Sequence, residues 1–115
     1  MGRFTRAYLE AALWASTDEG GEPLDGLYTV DDLAPEALAA AKDDCEDFQA
    51  TYGADFAGRE ARAGADFWLT RNRHGAGFWD GDWPGDVAKR LTEASHAYGS
   101  VDLYVGDDGK LYFTS

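Results

Sequence analysis

Apolar side chains return along this chain with a helical period in three places. From about Thr5 to Ser16, the positions Tyr8, Leu9, Ala12 and Leu13 fall on one stripe, and Thr17, Asp18 and the pair Gly20-Gly21 end it. From Pro35 to about Tyr52, Leu38, Ala41, Cys45, Phe48 and Tyr52 recur at steps of 3, 4, 3 and 4. Pro35 suits the first turn of that helix, and Gly53 is a natural stop. Thr29 with Asp32 ahead of it reads as a capping box in its Asp form. From about Asp86 to Tyr98, Val87, Leu91, Ala94 and Tyr98 repeat at 4, 3 and 4, with Asp86 placed to cap the start and Gly99 to close the end.

The remaining apolar runs have a strand-like period. Phe67 to Arg71 and Ala76 to Asp80 are rich in aromatics and flank Asn72-Arg73-His74-Gly75, the pattern of a β-hairpin. Val101, Leu103 and Val105 alternate with Asp102 and Tyr104, Gly106-Asp107-Asp108-Gly109 forms a turn, and Leu111 to Phe113 returns. Residues 18–28 read as a loop, and 54–65 as either short helical pieces or loop. The resulting order, ααββαββ, predicts a single α+β domain over residues 1–115, with helices on one face of a four-stranded, mostly antiparallel sheet.

Composition supports one core and narrows the setting. The 115 residues include four Trp, six Tyr and six Phe, enough large apolar side chains for a domain of this size. Cys45 is the only cysteine, so no internal disulfide forms and a reducing compartment is expected. No apolar run approaches the roughly 20 residues of a membrane helix. The first fourteen residues carry Arg3, Arg6 and Glu10 where a leader would be apolar.

Charge changes the picture more. The net charge is −12, and residues 17–66 carry fourteen acids against Lys42, Arg59 and Arg62. Nucleic-acid binding and docking on an anionic membrane both require the opposite sign. Four of the five residues 43–47 are acidic and lie on the second helix. Like charges at i,i+4, such as Asp43 and Asp47, repel by a few tenths of a kcal/mol, and acids so far from the helix start gain little from its dipole. The pattern mildly opposes folding. It reads either as a solvated face that keeps the protein soluble or as a surface for a cationic partner.

Little in the sequence points to catalysis, and no enzyme, cofactor or metal is expected. Cys45 sits among Asp43, Asp44, Glu46 and Asp47, which raise a thiol pKa rather than lower it. His96 lies beside the third apolar stripe and reads as a packed histidine. Asp80-Gly81-Asp82-Trp83-Pro84-Gly85-Asp86 starts like a calcium loop. However, Pro84 stands at a ligand position, the glycine comes early and no closing glutamate follows. His74 with Asp80 and Asp82 is the one constellation an enzyme reading has.

The segments YLEAALWASTDEGGEPLD, FWLTRNRHGAGFWDGDW, LTEASHAYG and VDLYVGDDGKLY together cover most of the domain, and they resemble a family of small acidic proteins encoded in bacteriophage and prophage genomes. The family has no assigned activity. The resemblance implies a phage-encoded protein made in the cytoplasm of a bacterial host; separately, a monomer or homodimer is expected.

These observations favour imitation of DNA: carboxylates at phosphate-like spacing occupying the basic groove of a host restriction, CRISPR or DNA-repair protein. The residues expected to carry it are Glu22, Asp25, Asp31, Asp32, Glu36, Asp43, Asp44, Glu46 and Asp47, extended by Asp18 and Glu19. The reading requires them to gather on one surface, unneutralised by Arg59, Arg62 or Lys89. The alternative is a protein-binding adaptor. It would work through the aromatic hairpin, with Trp68, Phe78, Trp79 and Trp83 beside the basic spot Arg71, Arg73 and His74, and the acids would serve only solubility.

Overall fold

The computed structural model describes residues 1–114. Four helices and one hairpin make up the fold: α1 (Arg3–Ala15), α2 (Pro35–Tyr52), α3 (Glu60–Arg71), α4 (Gly85–His96), β1 (Leu103–Val105) and β2 (Leu111–Phe113). The three periodic stripes form the helices expected of them. Tyr8, Leu9, Ala12 and Leu13 are buried on α1, Ala41, Cys45 and Phe48 on α2, and Leu91 on α4. Helix α2 starts at Pro35, as the fixed φ of proline favours. The Thr29–Asp32 box forms, but it caps a short 3-10 turn, Val30–Asp32, ahead of the helix. There Thr29 Oγ1 accepts from the Asp31 N–H and Asp32 Oδ2 accepts from the Thr29 N–H. Pro84 takes the cap position of α4, so Asp86 lies in its first turn without capping.

The expected four-stranded sheet is not there. The sheet has two strands, paired antiparallel with Leu103 opposite Phe113, Tyr104 opposite Tyr112 and Val105 opposite Leu111. Phe67 to Arg71, expected as a strand, form the last turns of α3, and Ala76 to Asp80 belong to an irregular loop. The order is therefore ααααββ rather than ααββαββ. The cause is burial. Gly64 and Asp66 through Arg71 are all buried, so α3 is covered on nearly every side and shows no amphipathic stripe. A short aromatic run of that kind has no period to distinguish a buried helix from a strand. The loop after α3 folds back on it: the His74 N–H donates to the Leu69 carbonyl and the Phe78 N–H to Thr70 Oγ1.

Helix α3 packs chiefly on α1. The two approach so closely at Gly64 that a Cβ there would lie 2.0 Å from the Phe4 carbonyl oxygen. Around this crossing the rings of Phe4, Phe48, Phe56 and Phe67 stack. Phe48 and Phe67 are the tightest pair, with centroids 4.2 Å apart and planes 18° from parallel. The hairpin closes the other end of the core, where the Ala34 N–H at the start of α2 donates to the Leu111 carbonyl at 2.9 Å.

In an exposed helix Gly→Ala gains up to about 1 kcal/mol of propensity. At Gly64 the clash with backbone outweighs it. Gly64→Ala is expected to lose about 2 kcal/mol or more in urea unfolding, because the added methyl pushes α1 off α3. A stability equal to or above that of the parent protein would show that the crossing is looser than described.

Candidate functional site

The fourteen acids of residues 17–66 divide by what they touch. Asp44, Asp55 and Asp66 pair with Arg71, Arg90 and Arg62. Asp18, Asp32 and Glu60 accept backbone N–H groups in turns. The other eight, Glu19, Glu22, Asp25, Asp31, Glu36, Asp43, Glu46 and Asp47, are exposed. Among the described residues none of the eight has a cationic nitrogen within 4.0 Å. Glu36, Asp43, Glu46 and Asp47 lie on the outer side of α2, away from the buried Ala37, Ala41, Cys45 and Phe48. Asp47 accepts a short hydrogen bond from the Tyr98 hydroxyl, which, after burial, is the second reason that phenol titrates above its ordinary range.

Asp44 serves the interior. Its Oδ2 accepts from Arg71 Nη1 at 2.7 Å, and the Arg71 side chain is only 3% exposed. The same guanidinium donates to the Tyr8 hydroxyl at 3.0 Å and to the Gly99 and Tyr98 carbonyls at 2.9 and 3.1 Å. Burial holds the Tyr8 phenol protonated well above its usual range, with Arg71 pulling the other way. The expected basic spot is therefore split. Arg71 is consumed inside, while Arg73, in a left-handed conformation with φ 55°, and His74 remain exposed in the loop.

The aromatic segment is divided in the same way. Trp68, Phe78 and Trp83 are buried, and only Trp79, 42% exposed, reaches solvent. The Trp83 indole N–H donates to buried Asp66 at 2.8 Å, and the Arg59 guanidinium lies 4.0 Å from the centre of the Trp83 ring. Burial pushes the Asp66 carboxyl up, and the Trp83 hydrogen bond and then Arg62 draw it back. Arg59 and Arg62 thus attend Trp83, Asp66 and Asp82, not the acids of α2. Lys89 lines a cleft with Trp79.

The catalytic constellation is not assembled. His74 faces a polar cleft with Asn72, Ser100 and Asp102. Asp80 accepts from the Gly77 N–H and Asp82 pairs with Arg62. Among the described residues no three His, Cys, Asp or Glu side chains converge as a metal ion requires. Cys45 is fully buried, and its thiol is pushed up to about 12, chiefly by burial. A hydrogen bond with Thr5 opposes that shift, and Asp44 and Glu46 add to it.

Two exposed rings escaped the sequence reading, Trp14 at 47% and Tyr104 at 46%. Both had a signal. Trp14 follows the α1 stripe by one position, and Tyr104 is the outward residue between Leu103 and Val105. Comparison with protein-family models, curated proteins and solved structures finds no match.

Two outcomes test this assignment. Asp44→Asn should lose about 2 kcal/mol in urea unfolding, less than a fully buried pair because Asp44 is partly solvated. Arg71→Met should lose about 3 kcal/mol or more. Asp43→Asn, one residue away, should change stability by no more than about 0.5 kcal/mol. Equal effects at positions 43 and 44 would contradict the division. The Cys45 thiol should resist alkylation by iodoacetamide at pH 8 and react only in denaturant. Rapid labelling of the folded protein would contradict its burial.

Proposed function

We propose that this protein is a non-catalytic inhibitor that occupies the basic groove of a host nucleic-acid-binding protein in place of DNA. The observation that carries the reading is the set of four exposed carboxylates on α2, Glu36, Asp43, Glu46 and Asp47, without cationic partners among the described residues; the acids do not all share one surface as expected, since Asp18, Glu19, Asp25 and Asp31 line clefts that no α2 residue joins. At 1.5 Å per residue, Asp43, Glu46 and Asp47 fall within about 6 Å of helix axis. That charge density is similar to the one charge per about 3.4 Å along a DNA strand. A groove shaped to neutralise phosphates gains comparable electrostatic attraction from such a stripe. Asp44, being held by Arg71, contributes to the field but not to direct contact. The sequence resemblance extends the proposal to a phage-encoded protein acting in the bacterial cytoplasm on a restriction, CRISPR or DNA-repair protein.

The test uses the immobilised protein and a bacterial lysate. Proteins retained at about 50 mM salt should be released by about 200 mM salt and by added duplex DNA, since the contact is electrostatic and the groove is a DNA site. A variant carrying Glu36→Gln, Asp43→Asn and Glu46→Gln should retain them at least about tenfold less well while melting like the parent. Retention that ignores both duplex DNA and the triple neutralisation would overturn the reading.

A further inference from the structure

A second surface lies where the end of α1 meets the 17–31 loop and the hairpin, and no α2 residue lines it. Two clefts there share the Tyr28 ring. The first is walled by Trp14 and Tyr28 together with Glu10, Asp25 and Asp31. The second is walled by Tyr28 and Tyr104 together with Asp18 and Glu19. Trp14 and Tyr104 each leave nearly half their surface in water, although every other Trp except Trp79 is buried. Among the described residues the one cation on these walls is Arg6, 3.9 Å from Glu10 in a solvated i,i+4 pair of little strength.

The surface is held in place before anything binds. Tyr104 stacks on Tyr112 across the hairpin with ring centroids 5.9 Å apart, and the Tyr112 hydroxyl donates to Asp108 at 2.6 Å. The loop is pinned by the bridge between Thr17 and Pro23 and by Asp18 Oδ1, which accepts the Gly20 and Glu22 N–H groups at 2.8 and 3.0 Å. Exposed, fixed aromatic rings are the side chains that dominate protein interfaces, because they bury much area at little entropic cost.

We propose that this paired cleft docks an extended, lysine- or arginine-rich segment of a partner protein. Its cationic groups would lie over Trp14, Tyr28 and Tyr104, and the flanking carboxylates would neutralise them. The rings define the surface and the charges select the occupant. A wholly apolar segment would bring the flanking carboxylates against it uncompensated, whereas a guanidinium or ammonium over an aromatic face is attracted by the ring and finds a carboxylate beside it. The inference deepens the inhibitor reading, because Glu19, Asp25 and Asp31 belong to the same unpaired set and a protein with a DNA-binding groove is rich in such segments.

The experiment titrates the full chain with octa-arginine and with a serine–glycine peptide of equal length, following backbone amide shifts by NMR and affinity by calorimetry. Octa-arginine should move amides of residues 10–31 and 103–105, and the neutral peptide should move none. Trp14→Ala with Tyr104→Ala, and separately Asp25→Asn with Asp31→Asn, should each weaken octa-arginine at least about tenfold with unchanged melting. A variant with only Asp43→Asn and Glu46→Gln, which leaves Glu36 near Tyr112 in place, should bind it within about twofold of the parent, so the two surfaces are read independently. Shifts centred on α2, ring variants that bind like the parent, or a change of sedimentation in the ring variants that reveals a second copy as the occupant would each overturn the proposal.

Discussion

The architecture depends on one buried cation. Arg71 sits at the end of α3 and its guanidinium reaches Tyr8 on α1, Asp44 on α2 and the two carbonyls that follow α4. An arginine can do this where a lysine cannot, because the planar group presents five donors in fixed directions. Burying such a charge is costly unless it is paired and saturated with hydrogen bonds. Here four acceptors surround it, one of them ionised. The requirement explains why α3 runs through the middle of the molecule, and why the chain after α4 turns back at Gly99 rather than continuing outward. Gly99, with φ +76°, provides that turn, and its carbonyl is one of the acceptors.

That constraint also gives the acidic run on α2 two different meanings. Asp44 is required by the interior, and its three acidic neighbours are not. Asp43 repels Glu46 and Asp47, three and four residues on, by a few tenths of a kcal/mol per pair, and among the described residues none of the three has a cation within 4.0 Å in return. Nor do Arg59, Arg62 and Arg90 relieve them: these bind Asp82, Asp66 and Asp55, on α3 and the segments either side of it. Arg59, Arg62 and Arg90 are spent elsewhere, and Lys42, the one cation on α2, is exposed and within 4.0 Å of none of the stripe's carboxylates, which leaves that face acid-rich on a domain already at −12.

Much of the fold was legible in the sequence wherever one face of an element meets solvent. The stripes of α1, α2 and α4, the proline start of α2, and the turn at Gly106–Gly109 followed from period and punctuation alone. The pattern failed at α3 because that helix has almost no solvent face beyond its first turn, so Phe67-Trp68-Leu69-Thr70 carries the same signal as a strand. With α3 misread, Ala76 to Asp80 acquired a false hairpin partner and the sheet doubled. The site was partly legible for a related reason. The excess of acid was plain, but neighbours in sequence point different ways. Arg71 and Arg73 stand two residues apart, one sealed in the core and the other exposed, and Asp43 and Asp44 divide likewise. Only contacts across the chain, between residues 27 positions apart for Asp44 and Arg71, separate the structural charge from the free one.

The two proposed surfaces act at different ranges, and this bears on how one small domain could be both fast and selective. On the proposed reading a field set by residues 17–66, extending about a Debye length, some 8–10 Å at moderate salt, would draw a cationic partner before contact and raise the association rate. It cannot distinguish one basic protein from another, since any carboxylate stripe attracts any basic groove. Trp14, Tyr28 and Tyr104 would act only on contact, where desolvated rings and the carboxylates beside them would govern how long such a partner stays. Charge without rings would give a promiscuous binder sensitive to salt, and rings without charge a slow one. Having both in adjoining regions of one chain allows capture by the field and discrimination by the cleft, because the Asp25 and Asp31 carboxylates contribute to each.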